Sequence, residues 1–287
     1  MWQDIMTTEF AVSFPVVNGV RTRVLTAGHG PALLLLHGTG GHLETYQKTI
    51  GPLAEHFRLV IPDMIGHGYT ERPDVDYTLA DYADHLFALL DHLGIETAYL
   101  SGESLGGCVA AWMALCTPER ASALVLNTGI LERPDDAGLR QLTDLENRTA
   151  KLMQELSMDS VRRRMDWLVL DPAKMTNEMV AIRLAIYSLP GMVDDVQKIL
   201  HTVIAMNRGP YLGVDYINAA LLAQIECPTL VLWSDHNPGK PYELVKPAID
   251  SIPDVKVHVI EGAAHWPQFE QPVMVNNHII DFLLGVA

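Results

Sequence analysis

Residues 98–116 read AYLSGESLGGCVAAWMALC, a short apolar run, a serine in a tight glycine-rich segment, and a longer apolar run. The lengths of the two runs predict a buried strand followed by a helix. The pentapeptide between them, Gly102-Glu103-Ser104-Leu105-Gly106, fits the pattern G-x-S-x-G. A sharp turn from strand to helix holds such a serine in a strained conformation, and small neighbours leave its hydroxyl exposed. We therefore predict that Ser104 is a nucleophile and not merely a turn residue.

Short apolar runs elsewhere predict the other strands of a sheet, because strands covered by helices on both faces lack a polar side. They read ALLLLH at 32–37, RLVIPD at 58–63, SALVLN at 122–127, CPTLVLWSD at 227–235 and VKVHVIEG at 255–262. Two earlier runs flank the turn Asn18-Gly19, which is typical of a hairpin. We predict an α/β fold with a mostly parallel, eight-stranded sheet flanked by helices.

The pattern changes after Asn127, where the sixth predicted strand ends. Residues 131–212 contain no run typical of a parallel strand, only helix-like stretches rich in Met, Leu and Arg. We predict that they form a helical lid, inserted after the sixth strand between the core segments 1–130 and 213–287. Open α/β sheets bind ligands at the carboxyl ends of their strands, so the lid is expected to cover that edge.

The composition of the chain limits the classes of molecule that it is expected to bind. The 287 residues carry a formal net charge of −15, which would repel nucleic acid and anionic membranes. The amino terminus carries Asp4 and Glu9 before any basic residue, unlike a signal peptide, and no apolar run approaches the length of about 18 residues that a membrane span needs. The three cysteines have no metal-binding spacing and are expected to be free thiols. We predict a soluble cytoplasmic protein that acts on a small molecule without metal or cofactor; a homo-oligomer is compatible with the sequence.

A serine nucleophile also needs donors for an oxyanion. The stretch HGTGG at 37–41 follows the third predicted strand, where such backbone N–H donors would lie. We expect one donor from Thr39 or Gly40 and the other from Leu105, the residue after the nucleophile. The stretch lacks the Lys-Ser/Thr of a phosphate loop, so the alternative is a plain glycine-rich loop.

The base is predicted to be His265, one of twelve histidines. It follows the last predicted strand in EGAAHWPQFEQP at 261–272, so nucleophile, acid and histidine occur in the expected order along the chain.

These residues resemble the α/β-hydrolase superfamily over nearly the whole chain. The sequence is most similar to the meta-cleavage-product hydrolases, which split a carbon–carbon bond in ring-fission products of aromatic degradation. MTNEMVAIR at 175–183 is similar to the family's Ile-Thr-Glu-Glu-Leu-Leu-x-x-Arg, and the resemblance implies that Arg183 binds substrate. HWPQFE resembles the family's His-Trp-x-x-Trp/Phe-Glu and implies a substrate contact for Trp266. The alternatives are a solvated helix face for Arg183 and core packing for Trp266.

Other positions depart from that family. Glu103 stands where the family usually has Asn before the nucleophile. The stretch HLETYQ after the oxyanion loop offers His42 and Glu44 in place of Ser or Asn. We expect these three side chains to contact the substrate.

The triad acid is predicted at Asp235. The family reads Trp-Gly-x-x-Asp in this loop, whereas this chain reads WSDHNP at 233–238. In strict register the acid position is Asn237, but a carboxylate stabilises the imidazolium, whereas a neutral amide can only orient the ring. Asp235 is therefore favoured over Asn237, and Glu132, after the sixth strand, is a further candidate.

The leading functional hypothesis is a cofactor-free serine hydrolase that cleaves the carbon–carbon bond of a 2-hydroxy-6-oxo-dienoate ring-fission product. Arg183 would clamp the substrate carboxylate. The alternative is an ester, thioester or lactone hydrolase, which needs the same triad but no arginine. A ligand-binding protein without turnover is less favoured, because binding alone needs neither nucleophile nor base.

Overall fold

The computed structural model describes residues 7–286. Its strands are β1 (Phe10–Ser13), β2 (Val16–Val17), β3 (Val20–Arg21), β4 (Val24–Ala27), β5 (Ala32–Leu36), β6 (Arg58–Pro62), β7 (Ala98–Glu103), β8 (Ala121–Asn127), β9 (Thr229–Ser234) and β10 (Val255–Ile260). Eight of them form one sheet in the order β1-β4-β6-β5-β7-β8-β9-β10, and β2 pairs with β3 in a separate hairpin. β4 runs antiparallel to both β1 and β6, while the pairs from β6 to β10 are parallel. The predicted mostly parallel, eight-stranded sheet is confirmed.

The helices are α1 (Ile50–Ala54), α2 (Leu79–His92), α3 (Leu105–Cys116), α4 (Asp136–Gln154), α5 (Met158–Met165), α6 (Asn177–Tyr187), α7 (Met192–Arg208), α8 (Tyr242–Ile249), α9 (Pro267–Glu270) and α10 (Pro272–Gly285). The predicted flanking by helices is therefore also confirmed. Within residues 7–286, no helix is both long and apolar enough to cross a membrane.

Strand β5 shows why the sheet needs helices on both faces. Leu34 and Leu36 pack into a core cluster that includes residues of α2, α3 and α8, while Leu33 and Leu35 pack into a second cluster with residues of α1 and α10. All four side chains are fully buried. Successive side chains of a strand point to opposite faces, so an unbroken apolar run buries both faces of the sheet.

The stretch between β8 and β9 contains α4 to α7. Three of these helices begin at a capping side chain, which accepts a hydrogen bond from the first helical turn: Asp135 for α4, Ser157 for α5 and Thr176 for α6. The helices share a third apolar cluster that also contains Trp266 and Phe269, so the insert packs onto the loop after β10. The predicted division at residues 130/131 and 212/213 stays a prediction.

Candidate active site

Ser104 lies in the turn between β7 and α3, with φ 54° and ψ −117°. A non-glycine residue rarely has a positive φ, and such strain occurs where a side chain must be presented. The two flanking positions must be glycine because there is no room for a side chain. A Cβ atom on Gly102 would lie 2.1 Å from the carbonyl of Gly106, and one on Gly106 would lie 2.1 Å from the carbonyl oxygen of Leu36. The predicted strand–turn–helix around Ser104 is present.

A cavity between the sheet and the insert contains both Ser104 and His265. Its wall on the sheet side includes Gly38, Thr39, Glu103, Leu105, Asn237, Lys240 and Trp266. Its wall on the insert side includes Leu142, Leu145, Arg164, Trp167, Leu200, Val203 and Met206. The insert side of the cavity is therefore mainly apolar, and its polar lining residues are Gln141, Arg164 and Asn207.

His265 is held by Asn237. The ring Nδ1 of His265 lies 2.7 Å from Oδ1 of Asn237, whose Nδ2 donates to the carbonyl of Lys240 at 3.1 Å. Because the amide nitrogen is used by Lys240, the oxygen that faces the ring can only accept, and Nδ1 must carry the hydrogen. In the neutral ring, Nε2 is then the free base, which is the nitrogen that a serine nucleophile requires.

The surroundings of His265 favour its neutral form. Burial, together with the positive charges of Arg164 and Lys240, lowers the pKa of His265 to about 3. The ring can therefore accept a proton at neutral pH, but the imidazolium that results needs a compensating negative charge.

The prediction that Asp235 contacts His265 is wrong. Oδ2 of Asp235 accepts from the N–H of Gly262 at 3.0 Å, and Oδ1 accepts from that of Ala263 at 3.3 Å. These bonds connect the end of β9 to the loop after β10. The Asp235 carboxylate therefore has a structural role, and Asn237 is the residue that accepts the hydrogen bond from the His265 ring. Glu132, the further candidate, does not line the cavity, and its backbone carbonyl accepts from the Lys240 ammonium.

Glu103 lines the cavity, and its carboxylate lies beside the ring of His265, the predicted base. Oε2 accepts from the N–H of Gly38 at 2.9 Å, and Oε1 lies 3.4 Å from Nε2 of His265. The residue is only 1% exposed. Burial raises the pKa of Glu103 to about 8, against the opposing effects of the Gly38 hydrogen bond and the Arg183 charge. The predicted substrate contact of Glu103 stays a prediction, and the structure adds a contact with His265, the predicted base.

The predicted oxyanion donors are only partly at the cavity. Thr39 and Leu105 line it, and Leu105 is the first residue of α3, where backbone N–H groups point outward from the helix. Gly40 does not line it, and its carbonyl accepts from the Tyr187 hydroxyl at 3.4 Å. The donor roles of Thr39, Gly40 and Leu105 stay predictions.

Arg183 is fully buried in α6. Its Nε and Nη2 have no hydrogen-bond partner among the described residues, and its guanidinium carbon lies 5.4 Å from the centre of the Trp266 ring. Trp266 lines the cavity, whereas Arg183 does not, so the arginine lies behind the tryptophan. An unpaired buried guanidinium is costly, which favours a site for an anion.

His42 and Glu44 do not line the cavity. Arg23 donates to both carboxylate oxygens of Glu44, at 3.0 and 2.7 Å, and Nδ1 of His42 lies 2.8 Å from Oε2. Burial would raise the pKa of Glu44, but the contacts with His42 and Arg23 hold it well below its usual range. The predicted substrate contacts of His42 and Glu44 stay predictions, and the Glu44 carboxylate is engaged by Arg23, a partner that local sequence patterns do not indicate.

Arg164, in α5, is a cavity residue that the sequence did not single out. It is 7% exposed, and its Nε donates to the Thr149 hydroxyl at 3.2 Å, while Nη1 has no hydrogen-bond partner within the described part of the chain. Its neighbour Arg163 is exposed. Three consecutive arginines at 162–164 give no local signal of which one faces inward, so only the packing of α5 identifies Arg164.

Comparisons with known proteins agree with this fold. A family described as the alpha/beta hydrolase fold matches residues 31–272. The chain is 29% identical over 276 residues to a 2-hydroxymuconate semialdehyde hydrolase from a Pseudomonas species, a match that covers 93% of this chain and 92% of the relative. A solved meta-cleavage product hydrolase from Pseudomonas fluorescens superposes with a TM-score of 0.80 at 24% identity, covering 96% of this chain and 98% of that one. An epoxide hydrolase superposes with a TM-score of 0.82 at 23% identity, covering 97% and 100%. These two superpositions show a shared fold and not a shared reaction.

Proposed function

Because the chain belongs to the alpha/beta hydrolase family, we propose that it is a serine-dependent hydrolase of a 2-hydroxy-6-oxo-dienoate ring-fission product. The bond cleaved is the carbon–carbon bond beside the 6-oxo group. The similarity to a 2-hydroxymuconate semialdehyde hydrolase supports this substrate class.

In the proposed reaction, Ser104 is the nucleophile and His265 the base. The dienol first tautomerises: its 2-hydroxyl group loses a proton and the carbon beside the 6-oxo group gains one, so that the resulting 2-oxo group can later receive the electrons of the breaking bond. Oγ of Ser104 attacks the 6-oxo carbon while Nε2 of His265 receives the hydroxyl proton. Backbone N–H groups of Leu105 and Thr39 would stabilise the oxyanion. The carbon–carbon bond then breaks and its electrons pass along the conjugated chain to the 2-oxo oxygen, which takes the proton back from His265 as the dienol forms. Water then adds to the acyl group on Ser104 and releases it as a carboxylic acid, and the serine regains its proton.

The observation that carries the proposal is the unpartnered edge of the Arg183 guanidinium. Nε and Nη2 form the side of the guanidinium that binds a carboxylate through two parallel hydrogen bonds. An enzyme for neutral esters gains nothing from this buried charge, whereas a dienoate supplies the carboxylate that would compensate it. Arg164 provides a further unpartnered nitrogen, Nη1, in the cavity wall itself.

The experiment compares Arg183→Lys with wild type on a dienoate and on a neutral p-nitrophenyl ester. Lysine keeps the charge but loses the paired donors, so kcat/KM for the dienoate should fall at least about tenfold, or about 1.4 kcal/mol, with little change for the ester. Arg163→Lys, one helix position from Arg164 and exposed, is the matched control and should affect neither substrate.

An equal effect of Arg183→Lys on both substrates, or no effect on either, would contradict the carboxylate clamp. Ester, thioester or lactone hydrolysis would then be the better assignment, since the apolar residues of the insert-side wall would also accept a neutral acyl chain.

A further inference from the structure

The base of this site lacks a negative charge where a serine triad normally has one. Nδ1 of His265 meets the amide oxygen of Asn237 and not a carboxylate. An amide fixes the tautomer and the orientation of the ring, but it is neutral and so does little to stabilise the imidazolium that forms during catalysis. Either the imidazolium is poorly stabilised, or another group supplies the charge.

The carboxylate of Glu103 is fixed against the other side of the ring. Its Oε2 is held by the N–H of Gly38 at 2.9 Å, and a Cβ atom added to Gly38 would lie 2.6 Å from that oxygen. Oε1 is buried, accepts no hydrogen bond within the described residues, and lies 3.4 Å from Nε2 of His265. The glycine and the elbow backbone thus direct one free carboxylate oxygen at the nitrogen that takes up the proton.

We infer that Glu103 is the acid of the triad, acting on Nε2 of His265 while Asn237 orients the ring through Nδ1. When the Ser104 proton reaches Nε2, the ring gains one positive charge, and the carboxylate 3.4 Å away neutralises it in a site of low dielectric. Glu103 takes up no proton in this step. The ring returns to its neutral form when it gives the proton to the leaving group.

This role requires ionised Glu103. Burial favours the protonated acid, and the groups that face it are His265, the cations of Arg183 and Arg164, and the Tyr46 phenol and Trp266 indole. Because the pKa of Glu103 is raised to about 8, the acid is largely protonated at neutral pH, and its hydroxyl then competes for the lone pair of Nε2. Activity should therefore rise as the pH rises through about 8.

The inference rests on the proposed roles of Ser104 and His265 but not on carbon–carbon cleavage, so p-nitrophenyl acetate serves as the substrate. Glu103→Gln keeps an oxygen acceptor for Gly38 but removes the charge. We expect kcat to fall about 100-fold with KM changed less than about twofold, and the rise near pH 8 to disappear. Asn237→Asp in the Glu103→Gln background places a carboxylate on Nδ1 and should restore at least about tenfold of the lost rate.

The rescue distinguishes an electrostatic role of Glu103 from a structural one. If Glu103 only supported the loop at Gly38, a carboxylate at residue 237 could not take over its role. Full activity in Glu103→Gln, no rescue in the double variant, or a flat wild-type profile between pH 7 and pH 9 would each overturn the inference. The wild-type profile needs no variant to fold. Ser104→Ala tests the proposed function separately. Ester hydrolysis that persists in this variant would overturn Ser104 as the nucleophile, whereas its loss together with full activity in Glu103→Gln would overturn only the role of Glu103.

Discussion

The molecule buries arginine in two different settings. Arg23, immediately before β4, is 7% exposed, and its three guanidinium nitrogens donate to Glu44 and Asp63 at 2.6 to 3.0 Å. Arg183, in the insert, is 0% exposed, and its Nε and Nη2 have no hydrogen-bond partner among the described residues. The first arginine completes its charge pairing within the fold, whereas we propose that the carboxylate of a ligand completes the hydrogen bonds of the second. The same residue type thus serves structure in the core and, by our proposal, recognition beside the cavity.

The largest expected effect lies at the cavity, and it should leave stability untouched. Ser104→Ala and His265→Ala should each lower kcat by about 10⁴-fold, and the double variant should lose little more, because the two residues act as a unit. The melting temperature should stay close to wild type, since neither side chain carries core packing. A Ser104→Ala variant that keeps more than about a tenth of the wild-type rate would leave another residue as the nucleophile.

Arg23→Met should have the opposite effect to the cavity variants, because it should lower stability. It leaves the carboxylates of Asp63 and Glu44 buried without their cation, and removing one partner of a buried ion pair costs about 3–5 kcal/mol of the free energy of unfolding. This loss of stability in the variant should become smaller as the pH falls. The pKa of Glu44 is lower in the folded protein than in the unfolded chain, so the pairing of Glu44 stabilises the fold above the unfolded pKa. That contribution disappears as Glu44 becomes protonated.

Urea denaturation at several pH values measures this effect. Lys246→Met is the control, since it breaks an exposed ion pair with Asp250 and should leave the free energy of unfolding nearly unchanged. A stable Arg23→Met variant would show that the paired arginine is not structural after all, and the contrast between the two settings would fail.

The smallest expected effect is at Arg164. Because Nε of Arg164 is bonded to Thr149, Arg164 cannot offer the Nε–Nη2 pair that Arg183 offers, so Arg164→Lys should lower kcat/KM for a dienoate by about fivefold, or about 1 kcal/mol. Steady-state kinetics on the dienoate and on a neutral ester measure it, with Arg163→Lys beside it. An equal loss in Arg163→Lys would mean that the effect comes from a general change in α5 and not from a contact in the cavity.

Local patterns were sufficient to predict the fold and the elbow. The alternation of apolar runs with helical segments predicted the eight strands, and the glycines around Ser104 predicted a turn that only glycine can accommodate. These features depend on neighbours in the chain, which a sequence displays directly.

The acid could not be predicted in the same way. Asp235 and Asn237 lie two residues apart, and which of them meets His265 is decided by hydrogen bonds to Gly262, Ala263 and Lys240. Glu44 is predicted to contact the substrate from its place after the oxyanion loop, and nothing in the local sequence indicates its partner Arg23, 21 residues away. Contacts of this kind depend on the packed fold, and no spacing rule gives them.

The most direct test of the central claim is the ratio of kcat/KM for a dienoate to that for p-nitrophenyl acetate in the wild-type protein. Loss of the dienoate absorbance reports the first reaction and release of p-nitrophenolate the second. The unpartnered arginines predict a ratio of at least about 100, because a site with buried charged donors discriminates strongly against a substrate that cannot pair with them. A ratio of one or below would contradict a cavity selective for anionic dienoates.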